Sequence, residues 1–392
     1  MSEKKFTPLV FLASLGAGGI SVVPFSILQY TVPHGKGLIK YSDILHGQLP
    51  FLQEFYFRGL ESIMVLFALI HFGLFFFFLP KLLSWLKTQE FKKMLQDPNQ
   101  NAALLAPFIS ILMSMNVFLA TIRYFVPHFS TNLQLYMMPA FVTWMLIWVA
   151  VLLLVNKLLH IAFSRTFDVR KISFGWLLYP FALSMTAVTG TGFAAVAKDP
   201  NIAHAAALFS LVPLTMAIFL FVVKITTIFT SHFQAENLPE RQFMPAFLAA
   251  VPVVTLIAIS FFRLGHYLET NFHYETEGLV FLTVVGAFAF EIWYFVFGLI
   301  MLKDYFRKDF PKNEYYVSQW ALVCPFVAFA VMGAFVYKVF LPLNIFPILS
   351  AISLLVAITF FGILTYRHFR CLFSTVKPAQ AKQNTLQVFE CS

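Results

Sequence analysis

Ten long apolar stretches restrict what this chain can fold into. Each exceeds the roughly 20 residues that a helix needs to cross about 30 Å of hydrocarbon. They fall at 7–30, 58–80, 104–127, 136–160, 174–197, 203–230, 243–264, 278–302, 317–340 and 343–366. Only 11% of residues are charged, against about a quarter in soluble proteins. The sequence predicts an all-α integral membrane protein with one transmembrane domain over 1–372 and a polar, disordered tail over 373–392.

Short connections pair neighbouring helices. Only residues 198–202 separate the fifth and sixth stretches, and the chain turns from the ninth to the tenth within residues 340–342. Connections this short require antiparallel neighbours. We therefore expect five helical hairpins.

Prolines recur at a fixed period along the chain. Pro107, Pro180, Pro252 and Pro325 are spaced by 73, 72 and 73 residues, and Pro24 lies in the first stretch. Such a period indicates one structural unit copied several times, and in membranes such copies are usually related by a symmetry axis. We expect pseudo-fivefold symmetry.

All five of these prolines lie on odd-numbered helices. A proline inside a helix removes a backbone donor and frees a carbonyl group. In lipid, a freed carbonyl is tolerated only where it faces protein or a water-filled cavity. The prolines therefore predict kinked odd helices around a central pore and an outer layer of even helices.

Basic residues predict the orientation. Twenty of the 27 lysines and arginines fall at the two termini and in the loops on the same side as the termini. The positive-inside rule then predicts cytoplasmic termini. The other seven are Lys36, Lys40, Arg58, Arg123, Lys198, Arg263 and Lys338.

Cations stand near the outer ends of the odd helices. If these helices surround a pore, the cations would ring its outer mouth and attract anions. Alternatively, the long side chains simply extend to the membrane interface. The members of this group are Arg123, Lys198, Arg263 and Lys338, with Lys36 and Lys40 beyond the first helix.

The chain resembles the tellurite-resistance/dicarboxylate transporter family from about Leu9 to Arg370. This family includes TehA-type bacterial proteins, fungal malate and sulfite transporters, and the slow-type anion channels of guard cells. Besides the ten helices and the proline series, three segments carry the resemblance. They are Glu90-Phe91-Lys92-Lys93 through Asp97-Pro98 to Pro107, Pro239-Glu240-Arg241-Gln242-Phe243-Met244-Pro245, and Trp320-Ala321 before Pro325.

The resemblance implies an anion pore along five inner helices, commonly in a homotrimer whose subunits each conduct. It also implies a phenylalanine gate on the ninth helix, directly before the kink, where this chain has Cys324. Either another phenylalanine closes the lumen, or the register differs, or the pore is more open, or Cys324 is only a small buried residue. The candidate phenylalanines are Phe326 and Phe329 beside Pro325, with Phe108 and Phe181 on other inner helices.

Three further features have open interpretations. Glu291 lies deep in the eighth helix and is a candidate for proton coupling, or for pairing with a polar neighbour. Lys224, near the end of the sixth helix, is expected to reach the cytoplasmic interface. The run from Ser184 to Gly192 is rich in small and hydroxylated residues, which suit either helix packing or pore lining.

Enzymatic signatures are missing from the sequence. It has no Gly-rich phosphate loop, Gly-x-Ser-x-Gly elbow or metalloprotease His pair. Of the histidines, only His71 lies well inside a span, which does not supply the two axial ligands of a membrane haem. We expect no enzyme, cofactor, metal or nucleic-acid partner.

The leading hypothesis is an anion channel or transporter of the bacterial inner membrane. Chloride, nitrate, sulfite or a dicarboxylate would pass, and small monovalent anions fit best because the inner helices have almost no mid-membrane cations. A proton-coupled carrier of C4-dicarboxylates such as malate is the second hypothesis, and a membrane redox or anchor subunit is the third.

Overall fold

Ten long helices form the protein in a computed structural model that describes residues 6–166, 172–234, 240–312 and 314–373. The described regular structure is helical throughout. All ten helices are long and apolar enough to cross a membrane. They are α1 Pro8–Thr31, α2 Phe51–Trp85, α3 Asn101–Phe125, α4 Leu133–Ser164, α5 Phe174–Val196, α6 Pro200–Phe233, α7 Met244–Phe272, α8 Glu277–Lys312, α9 Val317–Val339 and α10 Ile345–Cys371.

The odd-numbered helices are inside and the even-numbered helices outside. In their most apolar windows, 50–94% of the odd-helix residues are buried, against 22–39% in the even helices. The inner helices contact one another in chain order, from α1 to α3, α5, α7 and α9, and α9 returns to α1. The predicted division into inner and outer helices is confirmed, whereas the fivefold symmetry stays a prediction.

The repeated prolines mark a change of helix type. Short 3₁₀ segments at Asn101–Leu105, Phe174–Leu177, Met244–Ala249 and Val317–Leu322 each run directly into an α-helix. The repeated proline is the second or third residue of that α-helix. A proline cannot bond the carbonyl four residues earlier, and here that carbonyl always falls in the 3₁₀ segment, where bonds span three residues instead. Pro24 differs, because it lies well inside its α-helix.

Sequence neighbours pack as hairpins, and α4 also packs against α5. The Trp144 indole of α4 donates a 3.0 Å hydrogen bond to the carbonyl of Thr186 on α5. A Cβ at Gly190 would overlap the Trp144 ring and the Ser210 hydroxyl, so only glycine lets α5 approach both α4 and α6 this closely.

The connection between α1 and α2 folds back onto the helix ends. His46 lies 3.1 Å from Glu54 Oε1 and 3.0 Å from Glu61 Oε1 on α2. The Tyr124 hydroxyl of α3 donates to the same Glu61 oxygen at 2.6 Å. These contacts fasten the connection at His46 to α2, and α2 to α3.

The expected tail falls almost wholly outside the described residues, since the last described residue is Phe373. The boundary at residue 372 therefore stays a prediction.

Candidate functional site

Two cavities lie within the ring of inner helices. The larger, here called the wide vestibule, has a volume of about 1140 Å³. It opens at the C-terminal ends of the odd helices and receives at least one residue from each of them, namely Gly19, Asn116, Val188, Ile259 and Val331. The smaller, the narrow vestibule, has about 130 Å³ at the N-terminal ends and is lined by Leu12, Ala103, Leu178, Ala249 and Ala321.

Three residues line both vestibules and form the constriction between them. They are Phe181 on α5, Pro252 on α7 and Cys324 on α9. Phe181 is 7% exposed and Cys324 is 8% exposed. Phe181 has the largest of the three side chains, since the other two are a small thiol and a proline ring.

The other candidate phenylalanines lie away from both vestibules. Phe326 stacks on Phe360 of α10 with ring centroids 5.4 Å apart. Phe329 stacks on Phe288 of α8 at 5.1 Å. Phe108 is half-buried on α3 and lines neither cavity. Of the four candidates, the structure therefore brings only Phe181 to the constriction.

The register of α9 explains this placement. The residues of α9 that face the wide vestibule near the constriction are Cys324, Val327, Ala328 and Val331. They follow the i, i+3, i+4, i+7 pattern of one helix face. At about 100° per residue, Phe326 lies about 200° from Cys324 around the helix and Phe329 about 140°. Both therefore point towards the outer helices.

The prolines shape the inner helices more than they line the lumen. Pro252 is the one member of the series that lines the vestibules. Pro24, Pro180 and Pro325 are buried between helices, and Pro107 is half-buried.

All six candidate mouth cations line the wide vestibule. Asp43 is the only carboxylate among the described residues that line it. Lys198 and Lys338 are exposed at its rim. The wall thus carries a net excess of five positive charges. The cations are Lys36, Lys40, Arg123, Lys198, Arg263 and Lys338.

Arg123 is bonded mainly to the protein itself. Its guanidinium donates to the carbonyls of Leu119 at 2.9 Å, Leu38 at 3.3 Å and Ile39 at 2.5 Å. Only 2% of Arg123 is exposed. It therefore fastens the connection between α1 and α2 to α3, in addition to contributing charge to the vestibule.

Arg263 has a different environment. It donates one hydrogen bond, from Nη1 to the carbonyl of Val188 at 2.5 Å. A Cβ at Gly192 would lie 3.2 Å from the same nitrogen. A glycine on α5 therefore makes the room that the guanidinium occupies.

Glu291 is fully buried on α8 and does not line either vestibule. The Thr255 hydroxyl lies 2.5 Å from its Oε1, and its Oε2 has no hydrogen-bond partner in the described part of the chain. Thr255 itself lines the wide vestibule. One hydroxyl group therefore connects this acid to the lumen wall.

His71 and Lys224 serve helix packing. His71 Nδ1 donates to the Ser14 carbonyl at 2.7 Å, and its Nε2 lies 2.8 Å from the Ser114 hydroxyl. The expected reach of Lys224 to the interface is wrong. Its ammonium lies 4.0 Å and 3.9 Å from the ring centroids of Trp176 and Tyr179, and the residue is 5% exposed.

The hydroxyl-rich run on α5 packs between helices. Ser184, Thr186, Thr189 and Thr191 each donate to a backbone carbonyl three or four residues earlier. From the run between Ser184 and Gly192, Met185, Val188 and Gly192 line the wide vestibule, and Val188 and Gly192 also contact Arg263.

Sequence reasoning missed the aromatic and polar residues that line the wide vestibule beside the cations. Asn116 on α3 donates to Thr189 on α5 at 2.9 Å. Tyr30 packs against Phe335 with centroids 4.8 Å apart. They could have been found from the helical period, because residues three, four or seven positions from a glycine or cation that faces the lumen lie on the same helix face.

Comparison with known proteins agrees with this architecture. A family model described as a voltage-dependent anion channel, SLAC1, matches residues 5–369. No curated protein matches the chain significantly. Members of this family are anion channels or transporters of the membrane and not enzymes. With ten apolar helices and a match over nearly its whole length, this multi-pass membrane protein belongs to the SLAC1 family of anion channels and transporters.

Proposed function

We propose that small anions cross the membrane through the inner ring, passing from the wide vestibule through the constriction to the narrow vestibule. The observation that carries this proposal is that Phe181, Pro252 and Cys324 line both cavities. The two cavities therefore lie end to end along one path through the molecule.

The charge of the wide vestibule supports anions as the permeating species. Six cationic side chains and one carboxylate surround a space with low-dielectric walls, which concentrates counter-ions. The narrow vestibule has no charged residue in its described lining. Capture of an anion therefore depends on the wide side, and selectivity among anions depends on size and on contacts within the wide vestibule.

We propose Phe181 as the plug. Its ring is the bulkiest group at the constriction. A narrow apolar constriction opposes ion passage because it excludes water, and an ion would have to lose its hydration shell to enter. Cys324 stands where the family resemblance implies a phenylalanine, so the ring on α5 would take the place of a ring on α9.

The test is anion flux in proteoliposomes under opposing chloride, nitrate and malate gradients. Phe181→Ala is expected to raise flux severalfold because it removes the ring between the vestibules. Phe326→Ala is the matched control, since it deletes the same group from a residue that packs on Phe360. An equal rise in both variants, or no rise in Phe181→Ala, would refute the plug.

Orientation and assembly are part of the proposal. The charge distribution supports cytoplasmic termini in a bacterial inner membrane, with the wide vestibule facing outward. A homotrimer is proposed from the family resemblance. Labelling of Lys338→Cys in intact cells by a membrane-impermeant thiol reagent tests the orientation, and labelling only after lysis would reverse it.

A proton-coupled carrier of dicarboxylates is a second candidate, favoured by the contact between Glu291 and Thr255. Thr255 lines the wide vestibule, so a proton on Glu291 could influence the lumen wall. Glu291→Gln is expected to abolish the pH dependence of malate flux if this candidate is right. Flux that keeps its pH dependence in this variant would exclude it.

A further inference from the structure

We propose that Arg263 holds a planar oxyanion, with two coplanar oxygens such as those of a carboxylate or nitrate, partway along the wide vestibule. This inference rests on the proposed function, because it names the anion class that the pathway favours.

The guanidinium of Arg263 has unused donors. An arginine has five N–H groups in a fixed fork, and Arg263 gives one hydrogen bond to the described protein, at the Val188 carbonyl. Arg123, on the same vestibule, gives three. Arg263 forms no ion pair with a carboxylate among the described residues. The remaining N–H groups face a cavity, so an anion can approach them.

The depth of Arg263 places this charge within the pathway and not at its rim. Val188 lies seven residues beyond Phe181 on α5, which is about 10 Å at 1.5 Å per residue. Gly192, which the Nη1 atom that donates to Val188 also approaches, lies eleven residues beyond Phe181, about 16 Å, so the guanidinium is held between these two levels. An anion bound there would stand about 10–16 Å before the constriction, on the path towards it.

An aromatic wall borders the site. Tyr30, Phe262 and Phe335 all line the wide vestibule, and Phe335 lies 4.8 Å from Tyr30 and 4.9 Å from Phe262 between ring centroids. Apolar walls lower the local dielectric constant and strengthen the pairing of an anion with arginine. They also suit the carbon atoms of an organic acid, and a cavity of about 1140 Å³ is far larger than a halide needs.

Guanidinium geometry distinguishes the anions. Two parallel N–H groups bind two coplanar oxygens at once, and such bidentate pairs are stronger than single contacts. A halide is a sphere and cannot use both directions in this way. A lysine would keep the charge but act as a point charge without the fork.

The decisive variant is Arg263→Lys, with Arg307→Lys as the matched control because Arg307 is exposed and lines neither vestibule. Flux of nitrate and acetate relative to chloride is measured in proteoliposomes. We expect the acetate-to-chloride flux ratio to fall about tenfold in Arg263→Lys and to stay within about twofold of the parent in Arg307→Lys. A tenfold change in this ratio corresponds to about 1.4 kcal/mol.

Binding is measured separately, as the rise in melting temperature of the detergent-solubilised protein on adding sodium acetate or nitrate in place of chloride. The parent and Arg307→Lys should show the rise and Arg263→Lys should not. An unchanged flux ratio together with an unchanged temperature rise in Arg263→Lys would overturn the site. If the parent passes no anion, the proposed function fails, and the temperature rise alone still decides whether Arg263 binds oxyanions.

Discussion

The depth of a cation in the wide vestibule should decide how strongly it affects anion passage. Arg263 and Lys338 both line this cavity, so a simple count of charges predicts equal effects when either is neutralised. Their distances from the constriction differ, however. The contacts of Arg263 with Val188 and Gly192 place its charge about 10–16 Å from Phe181 along α5, whereas Lys338 lies fourteen residues beyond Cys324, about 21 Å along α9.

These distances give different energies. A unit charge about 10–16 Å away contributes about 1.0–1.7 kcal/mol at an effective dielectric constant of 20, a value typical of protein sites. An exposed charge 21 Å away in water contributes about 0.2 kcal/mol before screening. The second distance also exceeds two Debye lengths at physiological salt, where one is about 8 Å. Arg263→Gln should therefore lower anion flux by about tenfold and Lys338→Gln by less than about 1.5-fold.

The assay is chloride efflux from proteoliposomes at low and physiological ionic strength, for the parent and the two glutamine variants. The effect of Lys338→Gln should appear mainly at low salt because surface charges are screened. The effect of Arg263→Gln should persist at physiological salt. Equal losses in both variants, or a loss in Arg263→Gln that salt abolishes, would refute the reasoning from depth.

Two predictions concern stability. Gly190→Val should destabilise the protein by about 1–3 kcal/mol, because the valine side chain would overlap Trp144 and Ser210, and the melting temperature in detergent should fall. Gly286→Val is the control, since a Cβ at that position meets nothing within 4 Å. Equal losses of stability in the two variants would contradict the packing argument. Thr255→Val should lower the free energy of unfolding by about 1–3 kcal/mol, because it leaves the buried Glu291 carboxyl without its hydrogen-bond partner. The double variant Thr255→Val, Glu291→Leu should recover most of this stability. A double variant less stable than Thr255→Val alone would disprove this explanation.

The sequence predicts the ten spans and their division into inner and outer helices well, because every residue in the bilayer must suit contact with lipid or with protein. Length and apolarity locate the ten spans, and the repeated prolines distinguish inner helices from outer ones. What the prolines do locally was less predictable. A kink within a continuous helix was expected, whereas the repeated prolines follow a 3₁₀ segment, as at Met244–Ala249 before Pro252.

The candidate site was harder to predict than the fold, because it depends on helix rotation. The proline period does not say which face of α9 points inward. From the sequence alone, Phe326 and Phe329 are therefore as good candidates for the plug as Phe181. Only contacts with the outer helices separate them. Lys224 shows the same limit, since a position near a helix end suggested the interface while the rings of Trp176 and Tyr179 hold its ammonium.

The 3₁₀ segment Phe174–Leu177 ends four residues before Phe181, so its helix type affects the rotation and the height of the residues that follow it in α5. A 3₁₀ residue turns by about 120° and rises about 2.0 Å, against about 100° and 1.5 Å in an α-helix. Conversion of those four residues to α geometry would rotate the rest of α5 by about 80° and shorten it by about 2 Å. The geometry of these four residues therefore sets the rotation of α5, and with it the direction in which the Phe181 ring points.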